Sequence, residues 1–189
     1  MSAIKVTIPI EENLLLSLKA GERVLLSGTI YTARDAAHKR MSEALEKGED
    51  LPFNIEGQTI YYVGPTPAKP GQVIGSAGPT TSGRMDKYTP SLLDRGLKGM
   101  IGKGYRSKEV IDSMKKNKAV YFAAIGGSGA LIARSIKTME VIAYEDLGPE
   151  AIYKLTVRDF PAVVIIDSNG TDWYQLGKQK FNDQNAGQL

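Results

Sequence analysis

Cysteine is absent from this 189-residue chain, and histidine occurs once, at His38. Without thiolates the chain forms no disulfide, and it supplies no cysteine ligand to zinc or to an iron–sulfur cluster. A single imidazole also excludes a metal site built from several histidines of this chain alone. We therefore expect no metal ligand among its residues.

Long apolar runs are missing as well. No stretch approaches the length of apolar sequence that spans a bilayer. The N-terminal segment MSAIKVTIPIEEN carries acids where a signal peptide has its apolar core. These absences lead us to expect a cytoplasmic protein without a membrane partner.

Charge of one sign is not concentrated anywhere in the chain. The 24 Lys and Arg residues exceed the 21 Asp and Glu residues by only three, and the basic residues form no block. The tyrosines do not interleave with arginines as single-strand nucleic-acid binding requires. We expect no nucleic-acid partner, and the length fits one domain over residues 1–189.

Strand-like and helix-like patterns alternate along the first third of the chain. The segment IKVTIPI alternates apolar with polar residues and contains Pro9, which predicts an edge strand. The run VLLSGTIYTA predicts a buried strand. RDAAHKRMSEALEKGE then predicts a helix with Thr32 as its N-cap, Arg34 in its first turn and Gly48 as its stop.

Shorter elements fill the remainder. Two short strands are predicted around residues 59–63 and 72–75, and a helix is predicted near Thr89, where Pro90 fits a first turn. Then come a strand LKGMIG, a Ser107-capped helix SKEVIDSMKKN, and strands AVYFAAIG, MEVIAYEDLG and FPAVVIIDSNG. Residues from about 175 predict a frayed polar tail. The order of elements predicts an α/β domain with a mixed sheet.

The segment GSAGPTTSGRMDKYTP, residues 75–90, is called the anion loop here because it concentrates groups that bind anions: Thr80, Thr81, Ser82, Arg84 and Lys87, with Asp86 as its one acid. It lacks the Lys–Ser/Thr pair of a Walker A loop. Its glycines expose backbone N–H groups, and arginine holds a planar carboxylate through two parallel hydrogen bonds. Taken alone, however, the loop is more typical of a turn in which Arg84 pairs with Asp86 or Asp94 on the surface.

A second glycine-rich turn, GGSGALIA, follows the strand AVYFAAIG. Its glycines at 126, 127 and 129 do not fit the G-x-G-x-x-G spacing of a dinucleotide site. Because isolated glycine-rich turns are common, the pattern disfavours a nucleotide there.

Two further cations lie at predicted junctions between a strand and a helix. Arg34 in TARDAAH and Lys103 in MIGKGYRS supply, with the arginine of the anion loop, the anchors that a dicarboxylate needs. The alternative for each of them is a solvated charge, and for Arg34 an exposed pair with Asp35 or Glu43. His38, one helical turn after Arg34, is more typical of a structural histidine than of a catalytic one.

Three segments together resemble a known family. GTIYTARDAAHKR, GPTTSGRMDKYTPSLLDRGLKGMIGKGYRS and FPAVVIIDSNGTDWY resemble the C-terminal catalytic half of class I, iron–sulfur-dependent fumarases, which is a separate β subunit in many prokaryotes. The β subunits of L(+)-tartrate dehydratases share these motifs. The resemblance runs in order from about residue 6 to residue 173. It implies a swivelling β/β/α fold and a hydro-lyase that adds water reversibly to fumarate to give (S)-malate.

The resemblance also implies a cofactor and a partner. In that family a 4Fe–4S cluster, held by three cysteines of the α part, leaves one iron open to bind the substrate as a Lewis acid. This chain has no cysteine. We therefore expect half an enzyme that depends on a cysteine-bearing α subunit, in an α2β2 assembly with the active site at their junction.

Roles for individual residues follow from the resemblance by motif. The residues implied to bind substrate are Arg34, Arg84, Lys103 and Thr81. Thr80 matches the threonine proposed as the base that removes a proton from the carbon next to the hydroxyl-bearing one. Supporting roles fall to Asp35, His38 and Asp86, and either Asp86 or a carboxylate of the α subunit would accept the proton from Thr80.

Two alternatives remain open at this point. The same chemistry could act on L(+)-tartrate, whose second hydroxyl requires an additional hydrogen-bond partner. A non-catalytic anion-binding or assembly module would use the same domain without chemistry.

Overall fold

A computed structural model describes residues 2–124 and 129–186, so the glycines at 126 and 127 of the predicted second turn lie outside it. Its seven strands are β1 (Ile4–Ile8), β2 (Arg23–Thr32), β3 (Thr59–Tyr61), β4 (Gly99–Gly102), β5 (Val120–Ala124), β6 (Ile136–Ala143) and β7 (Ile152–Ile166). Its helices are α1 (Glu12–Ser17), α2 (Asp35–Glu46), α3 (Thr89–Leu93), α4 (Lys108–Asn117), α5 (Gly129–Ser135) and α6 (Trp173–Ala186). The predicted α/β class with a mixed sheet is confirmed.

Five of the strands close into a barrel. β2, β3, β4 and β5 are parallel neighbours in that order. β7 runs antiparallel to both β5 and β2 and so completes the ring. β1 extends the sheet beside β2, and β6 extends it beside β7. The edge position of β1 confirms the expectation from Pro9, which has no N–H to donate to a further strand.

Alternate residues of the strands enter two separate apolar clusters. In β5, Val120 and Phe122 belong to the first cluster, and Tyr121 between them belongs to the second. Helices α1 and α5 contribute to the first cluster, and helices α2, α3 and α4 contribute to the second. Since successive side chains of a strand point to opposite faces, α2, α3 and α4 cover one face of the parallel strands.

Two of the predicted helix-end residues are confirmed, and two differ from the prediction. Oγ of Ser107 accepts a hydrogen bond from the N–H of Val110 at 3.3 Å, which confirms the predicted cap of α4. Gly48, with φ of 75°, provides the left-handed residue that ends α2. The prediction for Thr32 is wrong, because its hydroxyl donates to the carbonyl of Ala151. Arg34, predicted in the first turn of α2, instead occupies the N-cap position.

Three other boundaries differ from those predicted. Residues 72–75 form bends and irregular backbone instead of a strand, since a turn at Pro70 and Gly71, with φ of 80° at Gly71, interrupts the extended backbone. β7 begins at Ile152, well before the predicted segment FPAVVIIDSNG. Helix α6 occupies most of the segment expected to be a frayed tail. None of the helices in the two described ranges is both long and apolar enough to cross a membrane.

Candidate active site

The carboxyl ends of the parallel strands position the predicted cations. Parallel strands end at a common edge, where α/β folds gather functional side chains. Arg34 lies two residues after β2, and Lys103 directly follows β4. The anion loop reaches the same edge, because the N–H of Thr80 donates to the carbonyl of Tyr62, just beyond β3, at 2.7 Å.

Asp35 joins the two predicted arginines. Nε of Arg84 donates to Oδ1 of Asp35 at 2.9 Å, and Nη2 of Arg34 lies 3.7 Å from Oδ2 of the same carboxylate. Arg34 also pairs with Glu150, whose carboxylate lies 3.4 Å from Nε. The side chain of Arg84 is 55% exposed, so a ligand has access to it.

The pair of Arg34 with Asp35 is one of those considered from the sequence, whereas the pair of Arg84 with Asp35 is not. Arg84 does not pair with Asp86 or with Asp94, because other cations take both carboxylates. Asp94 binds Lys116 at 2.9 Å, and Asp86 binds Arg106 at 2.7 Å. The local turn interpretation of the anion loop therefore misses the contact between Arg84 and α2.

Backbone contacts join the anion loop to the end of β4. Thr81 forms an isolated parallel bridge with Lys103, and the N–H of Ser82 donates to the carbonyl of Lys103 at 2.9 Å. Thr81 and Lys103 are exposed, and Thr80 is half-buried. Over residues 2–124 and 129–186, no side-chain hydrogen bond or ion pair engages these three residues. Their two hydroxyls and one ammonium group are thus available to a ligand.

His38 supports the start of α2. The residue is 1% exposed, and its Nδ1 lies 2.9 Å from the carbonyl oxygen of Arg34. A carbonyl oxygen only accepts hydrogen bonds, so Nδ1 carries the proton. Burial lowers the pKa of His38 to about 4, so the imidazole is neutral at pH 7. This environment favours the structural role over a catalytic one.

Asp86 binds a buried arginine that the sequence interpretation did not single out. Oδ1 of Asp86 accepts from Nε of Arg106 at 2.7 Å, and Oδ2 accepts from the N–H of Ser107 at 2.5 Å. Nη2 of Arg106 donates to Oγ1 of Thr89 at 2.9 Å. Both carboxylate oxygens of Asp86 are engaged, and Asp86 thereby supports the loop.

Two tyrosines enclose the guanidinium of Arg106. Its central carbon lies 5.3 Å from the ring centroid of Tyr62 and 5.1 Å from that of Tyr121. Burial on its own lowers the pKa of Arg106, but the neighbouring Tyr62 and Asp86 more than offset this, and the pKa is raised. The buried cation therefore remains charged.

A glycine provides the space that Arg34 occupies. A Cβ at Gly64 would lie 2.7 Å from Nη1 and 2.9 Å from Cδ of Arg34. Real Cβ atoms do not approach other atoms so closely, and the carbonyl oxygen of Pro149 lies at 3.3 Å from the same point. A residue with a side chain at position 64 would therefore displace the arginine.

Comparison with known protein families identifies the family of this chain. The family model described as "Fumarase C-terminus" matches residues 1–177. The chain belongs to this family. The match covers every residue that forms the candidate site, so the resemblance stated from the motifs is confirmed.

Two relatives are class I fumarate hydratases that are much longer than this chain. The class I aerobic fumarate hydratase of Salmonella typhimurium is 44% identical over 155 residues, which are 81% of this chain and 27% of that protein. The class I anaerobic fumarate hydratase of Escherichia coli is 42% identical over 188 residues, which are 95% of this chain and 34% of that protein. The chain thus spans about a third or less of these fumarate hydratases.

One relative aligns with this chain over most of the length of both proteins. The "Putative L(+)-tartrate dehydratase subunit beta" of Methanocaldococcus jannaschii is 39% identical over 173 residues. The alignment covers 88% of this chain and 89% of that protein. A domain that is fused in some members of the family therefore forms most of a separate polypeptide in another.

Metal ligands are not assembled in the part of this family member that the structure describes. No three or more His, Cys, Asp or Glu side chains there form a group able to hold a metal ion. The lack of cysteine holds for the whole chain. The residues present consequently do not fit a 4Fe–4S cluster, whose ligands are thiolates.

Proposed function

We propose that this chain is the β-type half of a hydro-lyase that hydrates fumarate reversibly to (S)-malate. The observation that carries the proposal is the shared contact of Arg34 and Arg84 with Asp35, on the strand edge where Lys103 also lies. Three cations around one edge suit a substrate with two carboxylates. Membership of a family whose relatives are named fumarate hydratases supports the same reaction.

The cations are proposed to bind and orient the substrate. Asp35 holds Nε of Arg84, which leaves the two terminal nitrogens for a two-pronged contact with one carboxylate. Arg34 binds the other carboxylate, with Lys103 adding positive charge. The exposed hydroxyl of Thr81 supplies a further donor to the bound anion.

Thr80 is the proposed base. It exchanges a proton with the carbon next to the hydroxyl-bearing carbon of malate. A threonine hydroxyl is a weak acid, so its alkoxide requires stabilisation from nearby positive charge, which Arg84 and Lys103 supply. Asp86 already pairs with Arg106 and Ser107, so we assign the acceptance of the proton from Thr80 to a carboxylate of the proposed α subunit or to a water molecule.

A cysteine-bearing α subunit completes the proposed enzyme, in an α2β2 assembly. Its cysteines would hold the 4Fe–4S cluster that the family resemblance implies, since this chain has no thiolate to offer. The candidate cleft then lies between the cationic edge of this chain and the cluster-bearing face of its partner.

L(+)-Tartrate is the second candidate substrate. The observation that favours it is the matching extent of the tartrate dehydratase relative, of which this chain covers 89%. Tartrate carries the same two carboxylates as malate, so the same cations serve it. The additional hydroxyl would then be bound by a group of the α subunit.

Anaerobic reconstitution tests the proposed function and the substrate together. The chain is combined with its cysteine-bearing partner, the cluster is rebuilt, and turnover is measured with fumarate, malate and L(+)-tartrate. We expect fumarate and malate to interconvert, and we expect this chain alone to be inactive. Turnover of tartrate alone selects the second candidate. Hydratase activity of the isolated chain, or none from the cluster-loaded pair, contradicts the proposal.

A further inference from the structure

We propose that Arg106 is a positioning residue, whose ion pair with Asp86 fixes the anion loop against the segment that follows β4. Arg84 lies two residues before Asp86, and Lys103 lies three residues before Arg106. The ion pair therefore sets the separation of two cations that hold one substrate. The kinetic consequence rests on the proposed function, but the structural consequence does not.

Arg106 connects its own segment to two others, the anion loop and the residues that follow β3. Nε binds Asp86 of the anion loop at 2.7 Å, Nη2 binds Thr89 at the start of α3 at 2.9 Å, and Nη1 lies 3.4 Å from the hydroxyl of Tyr62. Its side chain has no exposed surface. Such a guanidinium has no direct contact with a ligand at the strand edge, so its effect on the site passes through the residues that it holds.

Stability alone does not account for this buried charge. The desolvation of two ions offsets most of their attraction, and apolar side chains of similar volume often serve as well or better. A guanidinium differs from an apolar group in having planar donors with fixed directions. These donors specify where Asp86 lies, which an apolar contact does not do.

Backbone hydrogen bonds in which Arg106 takes no part hold the Thr80 side of the anion loop. The N–H of Thr80 donates to the carbonyl of Tyr62 at 2.7 Å, and the N–H of Ser82 donates to the carbonyl of Lys103 at 2.9 Å. Loss of Arg106 should therefore free the Arg84 end of the loop and leave Thr80 in place. In kinetic terms, substrate binding by Arg84 weakens more than proton transfer by Thr80 does.

The variants Arg106→Met and Arg106→Lys test this asymmetry in the full chain and in the enzyme reassembled with its α subunit. We expect Arg106→Met to raise KM for fumarate about tenfold or more and to change kcat by less than about threefold. A smaller folded fraction lowers the apparent kcat but leaves KM unchanged, so a purely structural role does not give this pattern. Arg106→Lys, which keeps the charge but not the planar donors, should recover part of the loss.

The matched control is Arg40→Met. Arg40 also forms a two-pronged pair with an aspartate, Asp146, at 2.7 and 2.8 Å, but away from the anion loop. We expect its kinetics to stay within about twofold of the parent, because an exposed ion pair contributes little. If Arg106→Met does not fold, Asp86→Asn removes the same ion pair from the other side and should give the same rise in KM.

Amide hydrogen exchange of the full chain provides a readout that needs no activity. In Arg106→Met the amide of Ser107, which donates to Asp86, should exchange at least about tenfold faster, while the amides of Thr80 and Ser82 stay protected. Unchanged KM in a folded Arg106 variant, or unchanged exchange at Ser107, overturns the proposal. If the reassembled parent enzyme shows no hydratase activity, the proposed function fails and the exchange pattern alone decides the role of Arg106.

Discussion

The carboxylate of Asp35 lies 2.9 Å from Nε of Arg84, although one residue begins α2 and the other belongs to the anion loop. The same carboxylate lies 3.7 Å from Nη2 of Arg34. One acid therefore fixes how the two arginines face each other. It also occupies only one edge of the Arg84 guanidinium, so the terminal nitrogens are oriented before a ligand binds.

Removal of this acid should weaken the site without removing any group that contacts substrate. We expect Asp35→Asn to lower kcat/KM for fumarate about tenfold and Asp35→Ala to lower it about 100-fold, because misplaced anchors cost that much even over short distances. Asparagine retains an oxygen that accepts from Nε of Arg84, whereas alanine does not. Equal losses in the two variants would contradict the orienting role, and steady-state kinetics of the reassembled enzyme makes the comparison.

Arg84→Lys should damage the enzyme despite its conserved charge. Lysine has no planar fork, so it cannot bind Asp35 and a substrate carboxylate at once. We expect kcat/KM to fall about 100-fold, which corresponds to about 3 kcal/mol of lost transition-state stabilisation. Arg95→Lys, an exposed arginine in the turn after α3, is the matched control and should be neutral. A substitution of Arg84 as mild as that of Arg95 would exclude a two-pronged contact.

Thr80→Ala tests the base. Loss of a group that transfers a proton lowers turnover, and we expect kcat to fall at least about 100-fold with KM nearly unchanged. Thr80→Ser keeps the hydroxyl and should retain most of the activity. The backbone N–H of residue 80 donates to the carbonyl of Tyr62 in either variant, so the loop should stay in place. Turnover of the alanine variant within a few-fold of the parent would remove Thr80 from this role.

Gly64→Ala should displace the side chain of Arg34 by steric overlap alone. The added methyl would overlap the arginine side chain, and its displacement should raise KM for fumarate about tenfold. The backbone at Gly64 is not left-handed, so alanine adopts it without strain. Gly177→Ala, in α6 with no atom within 4 Å of the new methyl, is the control and should leave KM unchanged. Substrate titrations at constant enzyme concentration distinguish the two variants.

Stability should depend on pH through His38. Burial lowers the pKa of this side chain from 6.5 to about 4 in the folded protein. Between these values the unfolded chain binds more protons than the folded chain, so the free energy of unfolding decreases as pH falls. The decrease should be about 1.4 kcal/mol per pH unit in the middle of this range and about 3 kcal/mol in total by pH 4.

Urea unfolding between pH 7 and pH 5 measures this effect with little interference from other groups. The chain has only one histidine, and ordinary carboxylates titrate mostly below this range. His38→Gln should be less stable at pH 7 and should lose most of the slope between pH 7 and pH 5. Retention of the full slope in this variant would assign the pH dependence to another residue.

Local patterns in the sequence were sufficient for most elements of the fold. The period of apolar residues and single capping residues such as Ser107 predicted β2, α2 and α4 closely, because these features act within a few positions of the chain. Thr32 was predicted wrongly because its hydroxyl has a partner, Ala151, in a distant part of the chain. The early start of β7 was missed because pairing with β2 and β6 extends that strand beyond its apolar core.

The residues of the candidate site also separate into those that local sequence predicted and those that it did not. Motif residues such as Arg34 and Arg84 were found because the segments around them are distinctive. Arg106 was not singled out, although it lies within the segment GKGYRS, because nothing in a single sequence distinguishes a buried arginine from a solvated one. Glu150 and Gly64 act on Arg34 only after the chain folds, and no local signal marks either of them.

The pairing of β2 with β7 has a consequence for how the proposed two-chain enzyme would be assembled. Because the ring of strands closes within this chain, the edge that carries Arg34, Lys103 and the anion loop is complete before any partner arrives. Binding of the proposed α subunit would then not have to order this edge, so this chain would lose little conformational entropy in the step. Such a chain is suited to separate synthesis and later docking.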